Sequence, residues 1–121
     1  MKHKVKGRKL SRVRKQRKAL IKTLLGSFIL HEKIITTEAK AKEIKPLFDK
    51  IVNKAKTIKV DEKKKVAVIR DLEKLLPSRA VKKVTGDFKE RFSGREGGYS
   101  RIIRLAKRKS DGAKMAVIEI I

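Results

Sequence analysis

The chain has 121 residues, enough for one domain with a modest core, and its 40% apolar content excludes a disordered chain on composition. It carries 36 Lys and Arg against 13 Asp and Glu, a formal net charge of +23, which implies an anionic partner: nucleic acid first, an anionic membrane surface second. There is no cysteine, so disulfides and thiolate-metal sites are excluded, and no apolar run approaches the roughly 18–20 residues that a membrane span needs.

The positive charge is concentrated at the N-terminus, where the first acidic residue is Glu32. Within residues 2–10 only Val5 and Leu10 are apolar, so this segment has almost nothing to bury on folding. We therefore predict an extended basic arm over residues 1–11, ordered only by its partner, and a single domain over residues 12–121. The basic start lacks the apolar core of a signal peptide, so a cytoplasmic protein is the simplest expectation.

A helix is predicted from about Arg12 to Leu30, with Ser11 as its N-cap. Its second half carries apolar residues at the helical period, from Leu20 to Ile29, and should join the core. Its first half has almost no such stripe and is strongly basic. It should therefore project into RNA or DNA, the alternative being a solvated basic helix end.

The middle of the chain predicts a short β-branched strand over residues 33–37 and then three helices. Thr36 or Thr37 should cap the second helix, which runs to about Lys56 and contains Pro46. The third helix should open at Asp61 and run to about Leu76, with Val66, Ile69, Leu72 and Leu76 on one face. The fourth starts at Pro77 and Ser78, turns Val81, Val84 and Phe88 inward, and ends near Gly86.

A glycine-rich stretch follows at residues 90–101, with glycines at 94, 97 and 98 and arginines at 91, 95 and 101. With Tyr99, the only tyrosine, it offers amides, guanidinium groups and one ring to phosphates and unstacked bases. The alternative is an ordinary connector with solvated arginines and Tyr99 packed in the core. Residues 94–97 match the GxxG of KH domains, but a strand follows at once, which argues against that fold.

Two strands, residues 99–105 and 115–121, flank the Asp111-Gly112 turn signal and predict an antiparallel hairpin. Catalysis is not favoured, because there is no Cys nucleophile, no Walker spacing and only two histidines, His3 and His31. A metal site is equally disfavoured. Two other classes stay open, a DNA-binding protein, although no helix-turn-helix is evident, and a nuclease or RNA-modifying enzyme, although the carboxylates are scattered.

Five blocks of the sequence are GRKL at residues 7–10, RKAL at 17–20, HEKIITT at 31–37, AKAKE at 39–43 and REGGYSR at 95–101. In their order and spacing they resemble the ribosomal protein seventeen family of the bacterial large subunit. The resemblance implies a non-enzymatic, cofactor-free protein of the large subunit that binds 23S rRNA near the nascent-chain exit region. Its expected neighbours are other large-subunit proteins, with no small-molecule substrate.

The same resemblance implies an α+β fold, with about four helices packed on one small three-stranded mixed sheet and a basic N-terminal arm. Residues 13–16 depart from the family's Ser/His-rich polar patch, and the chain stops at Ile121 without the charged tail of some relatives, so no tail-borne role is expected. The resemblance carries over Arg8, Arg12, Arg17, Arg95, Gly97, Gly98, Tyr99 and Arg101 by position. The full set of predicted RNA-binding residues is Lys2, His3, Lys4, Lys6, Arg8, Lys9, Arg12, Arg14, Lys15, Arg17, Lys18, Lys22, Arg91, Arg95, Gly97, Gly98, Tyr99 and Arg101.

Overall fold

The structure, a computed structural model, describes residues 10, 12–60, 62–92, 94–95 and 97–121. The predicted arm, apart from Leu10, and the predicted cap Ser11 lie outside these residues. Within them, four α-helices, two short 3-10 segments and three strands follow one another. They are α1 (Arg14–His31), β1 (Lys33–Thr37), α2 (Glu38–Val60), a 3-10 turn (Glu62–Lys64), α3 (Lys65–Glu73), α4 (Ser78–Thr85), a 3-10 helix (Asp87–Phe92), β2 (Ser100–Arg104) and β3 (Met115–Ile120).

Helix α1 begins two residues later than predicted, with Val13 in extended backbone at its N-cap and no side-chain cap. Its C-terminal half confirms the predicted apolar stripe, since Leu25, Phe28 and Ile29 are buried. The helix ends where Glu32 adopts a left-handed conformation (φ 63°) and donates its N–H to the Phe28 carbonyl at 2.7 Å. This conformation is a common way to end a helix.

The core is built around α2, whose apolar residues repeat at the helical period. Ala41, Ile44, Phe48, Ile51, Val52 and Ala55 are all 0–1% exposed. The helix continues through Pro46 and runs to Val60, beyond the predicted end. Thr37 caps it as predicted, accepting the Lys40 N–H at 3.4 Å. Phe48 also packs edge-on against Phe28, with ring centroids 4.9 Å apart, so α2 joins α1 within one core.

The sheet confirms the α+β class but corrects one detail of it. Strand order is β1-β3-β2, and both pairings are antiparallel, so the expected mixed sheet is wrong. The hairpin places β3 antiparallel to β2, and β1 enters on the other side of β3 in the same sense as β2. The registers align Ile34, Ile118 and Ile102 in one row on the face that packs against the core.

The third predicted helix is divided. Residues 62–64 form a 3-10 turn and α3 begins only at Lys65. Consequently the buried positions are Val68, Leu72 and Leu76, whereas Val66, predicted to point inward, is 61% exposed. Because a 3-10 turn advances by about three residues rather than 3.6, it changes which residues of the following helix face the core.

Helix α4 packs beside the second half of α1, and Pro77, the residue before α4, lies directly against Gly26 of α1. A Cβ built on Gly26 would lie 2.7 Å from Cγ and 2.8 Å from Cδ of Pro77, which precedes α4. A proline ring is rigid and cannot move aside as a flexible side chain would. The approach of the two helices therefore depends on the missing side chain at residue 26.

We predict that Gly26→Ala destabilises the folded chain by about 1–2 kcal/mol, because overpacking costs about 1–3 kcal/mol and the better helix propensity of alanine returns at most about 1. Thermal unfolding should fall by several degrees. Gly97→Ala is the control, since a Cβ there meets nothing within 4 Å. An unchanged or raised melting temperature for Gly26→Ala would contradict the packing described.

Candidate nucleic-acid interface

The first three turns of α1 form a strongly basic surface. Arg14, Lys15, Lys18 and Lys22 are exposed and Arg17 is half-buried. None of the five forms an ion pair with any residue that the structure describes. Arg12, just before the helix, is also exposed, and its guanidinium donates to the Leu10 carbonyl at 2.7 Å. These cations retain the full capacity to bind an external anion.

The cations of α1 lie on one side of the helix. At about 100° per residue, the five fall within an arc of roughly 160°, and this arc also contains Ile21, Leu25 and Ile29 further along the helix. The opposite side carries Gln16, Ala19 and Thr23, which have no charge. The basic face is therefore the continuation of the core-facing stripe beyond the point where the core ends.

The glycine-rich stretch does not offer Tyr99 to a ligand. The residue is 0% exposed, and its ring packs edge-on against Phe92 with centroids 5.1 Å apart. Its hydroxyl accepts a hydrogen bond from Lys56 Nζ at 3.1 Å and lies within bonding distance of Asn53 Oδ1 and the Arg95 carbonyl oxygen. The prediction that this ring stacks on bases is wrong for this structure, and the core alternative is supported.

The rest of this stretch remains at the surface. Arg95, Gly97 and Gly98 are exposed, and Gly98 has φ +63°, a left-handed conformation in which a Cβ is strained. The Arg95 guanidinium lies 3.5 Å from the Gly98 carbonyl. The loop is therefore anchored to the core through Tyr99, while Arg95, Gly97 and Gly98 are exposed.

Two predicted arginines are already engaged by the protein. Arg91 is paired with Glu32, and its guanidinium lies 5.2 Å from the centroid of the Phe88 ring. Arg101 is 2.6 Å from Glu119. Both side chains stay about half exposed, but each charge is offset by a carboxylate, so we rank them below the unpaired cations of α1 as phosphate ligands.

Sequence reasoning missed a second group of exposed cations at the hairpin. Lys107, Lys109 and Lys114 are exposed and form no ion pair with described residues, whereas Arg108 is bound by Asp111 through two hydrogen bonds of 2.9 and 2.6 Å. The bond from Arg108 lowers the pKa of Asp111 to about 2. The clustering of cations around the Asp-Gly turn was the available signal.

The described ranges contain no arrangement typical of a catalytic or metal centre. An open cleft of about 350 Å³ is lined by Thr37, Glu38, Ala39, Lys42, Ala113 and Lys114. Its carboxylate, Glu38, is bound by Lys42 at 2.9 Å and Arg104 at 3.3 Å. Among the described residues, no three of His, Cys, Asp and Glu could hold a metal ion. Over the same residues, no helix combines the length and apolar character needed to cross a membrane.

Comparison with known proteins assigns this fold to a family. The family model described as ribosomal protein L17 matches residues 20–121. A protein named large ribosomal subunit protein bL17 from Anaeromyxobacter sp. (strain K) is 40% identical over 123 residues, covering 100% of this chain and 73% of its own length. Its namesake from Petrotoga mobilis is 37% identical over 124 residues, covering 100% and 97%. That of Shouchella clausii is 39% identical over 118 residues, covering 93% and 97%.

We predict that Tyr99→Ala destabilises the free protein by about 3–5 kcal/mol, because a large ring leaves the core. Tyr99→Phe keeps the ring and removes only the hydroxyl that joins Lys56, Asn53 and Arg95, at a cost of about 1 kcal/mol. Neither change should alter the RNA affinity of the folded fraction. If Tyr99→Phe left thermal unfolding unchanged but weakened RNA binding, the hydroxyl would contact RNA rather than the protein's own residues, and the buried position of Tyr99 would be contradicted.

A pH-dependent contribution to stability is predicted at Glu32, which joins the end of α1 to Arg91 and, at 3.3 Å, to Lys83. The bond from Arg91, with a second from Lys83, lowers the pKa of Glu32 from 4.5, although burial opposes the shift. A lowered pKa in the folded state means that the stabilisation is present above the unfolded value and is lost as pH falls through the folded value.

Glu32→Gln should therefore lower the free energy of unfolding near pH 6 by no more than about 1 kcal/mol, because the carboxylate is partly exposed. The difference should shrink as pH falls below 4.5 and through the lowered folded pKa. Glu73→Gln is the control, since Glu73 is exposed and in no ion pair with the described residues. A wild-type advantage that persisted unchanged at pH 3 would contradict this role.

Proposed function

This chain belongs to the ribosomal protein L17 family, and on that premise we propose that it is a structural, non-enzymatic protein of the bacterial large ribosomal subunit that binds 23S rRNA. The relatives are named as proteins of the large ribosomal subunit, which supports the same location for this chain. Their similarity extends over the full length of the chain, which supports assigning it the same role. The observation that carries RNA binding is the group of unpaired cations on α1. Such a surface attracts phosphates whatever the base sequence.

The geometry of α1 also supports a direction of approach. Its cations continue the core-facing stripe, so the RNA backbone should lie under the first turns of the helix, on the side of the protein body, rather than over the neutral face of Gln16, Ala19 and Thr23. Arg12 and the exposed residues Arg95, Gly97 and Gly98 would add further contacts. Arg91 and Arg101 would contribute only by sharing their charge between a carboxylate and a phosphate.

The basic arm extends this proposal beyond the described residues. Residues 1–18 carry ten of the 36 Lys and Arg and no Asp or Glu. We propose that Lys2, His3, Lys4, Lys6, Arg8 and Lys9 bind rRNA together with α1. On the family resemblance we also propose that the protein lies near the nascent-chain exit region of the subunit. The same resemblance supports a cytoplasmic ribosome.

The decisive experiment moves one charge around α1 without changing the composition. Lys18→Ala removes a cation from the basic face, and combining it with Ala19→Lys restores the same residues on the opposite, exposed face. The wild-type chain and the double variant contain the same amino acids, exchanged between two adjacent helical positions. Their helix propensity and net charge are therefore matched. Binding to 23S rRNA is measured as a function of salt concentration.

We expect Lys18→Ala to flatten the log–log salt dependence by about 0.7–0.9, the loss of one phosphate contact, and the double variant to show the same loss. Full recovery in the double variant would show that only net charge matters and would contradict the proposed face. Equal or stronger binding of the wild-type chain to duplex DNA would favour the DNA-binding alternative.

A further inference from the structure

The outer face of the sheet carries an apolar row that the core does not use. Strand register places Ile35, Val117 and Ile103 side by side across all three strands. Ile35 is 65% and Ile103 46% exposed, whereas Val117 between them is 7% exposed and buried, although it lies outside the contiguous core cluster. Alternation along the strands explains this, since the neighbouring row of isoleucines points inward. Leu105, 42% exposed, extends the apolar surface beside Met115.

The charges at the two ends of this surface differ. At one end Glu119 holds Arg101 at 2.6 Å and Lys33 at 3.9 Å, so one carboxylate is shared by two cations and this row keeps a single net positive charge. At the other end lies the hairpin, whose cations Lys107, Lys109 and Lys114 are exposed and form no ion pair with the residues described. The surface is therefore apolar in the middle, largely neutralised by Glu119 at one end and more strongly cationic at the hairpin.

We propose that this face, defined by Ile35, Ile103, Leu105, Met115 and Val117, binds a segment of another protein that lays aliphatic side chains across the row and sets carboxylates opposite the hairpin cations. Contiguous exposed apolar side chains commonly mark such interfaces. The inference goes beyond RNA binding, although it rests on the proposed function in placing the partner within the same large subunit.

Two other occupants fit this face less well. RNA-binding sheets stack bases on exposed aromatic rings, and among the described residues the three strands carry no aromatic ring on this face. A second copy of the chain would bring two molecules of net charge +23 together. A partner with apolar and acidic side chains could pack against the apolar row and pair its carboxylates with the hairpin cations.

The first test places a photo-crosslinking residue, p-benzoylphenylalanine, at position 35 of the full chain within purified large subunits. The matched control is position 66, because Val66 is 61% exposed but lies on α3, away from the sheet. We expect position 35 to crosslink to one other protein, at a segment with carboxylates within a few residues, and position 66 not to reach that segment. A crosslink from position 35 to rRNA, to a second copy of the chain or to nothing in subunits that contain it would overturn the inference.

The second test removes the apolar surface while keeping β-branched residues. The double variant Ile35→Thr, Ile103→Thr should compete about tenfold less well than wild type for incorporation into large subunits, whereas Val66→Thr should compete equally. Melting temperature and the salt dependence of 23S rRNA binding should not change. Equal incorporation of the double variant would also overturn the inference. Absence of the wild-type chain from large subunits would instead overturn the proposed function.

Discussion

Burial of the apolar stripe of α2 is the constraint on which the rest of the structure depends. A chain with a net charge of +23 repels itself, and only a continuous core can offset that repulsion when no partner is bound. Phe48 connects α2 to Phe28 of α1 and to Phe92 of the 3-10 helix, and Phe92 in turn contacts Tyr99 at the start of the sheet. A continuous series of ring contacts thus joins the helices to the start of the sheet. Because Tyr99 is part of this series, it anchors the glycine-rich loop to the core.

Two carboxylates form ion pairs where different elements of the fold meet. The cations that they hold are less available to an external anion than the cations that have no such partner. Glu32 joins the end of α1 to Lys83 and Arg91, and Glu119 joins Arg101 and Lys33 across the sheet. Individually, exposed ion pairs of this kind contribute little stability. They engage particular cations of the body, such as Lys83, Arg91 and Arg101, whereas the cations of α1 have no carboxylate partner among the described residues.

The sequence predicts local features well, because helical period and turn chemistry are local properties. The buried stripe of α1, the cap at Thr37 and the Asp-Gly hairpin are all confirmed. Contacts between distant parts of the chain cannot be predicted from such local patterns. The exposure of Val66 followed from a 3-10 turn before α3, and the burial of Tyr99 from residues more than forty positions earlier.

The apolar row on the outer sheet face illustrates the same limit. Ile35 and Ile103 look like core residues in the sequence, and only the register of strands far apart in the chain shows that they share the exposed face. The basic face of α1 is an intermediate case. Its charges were evident from composition, but their lack of acidic partners could be known only once the fold had brought the carboxylates elsewhere.

The central claim is that 23S rRNA occupies the unpaired cations of α1 while the paired cations of the body stay with their carboxylates. Lysine acylation of the full chain, read by mass spectrometry with and without 23S rRNA, tests it directly. The account predicts strong protection of Lys15, Lys18 and Lys22 on binding and little change at Lys83, which is already held by Glu32. Uniform protection of all lysines, or protection that spares α1, would contradict it.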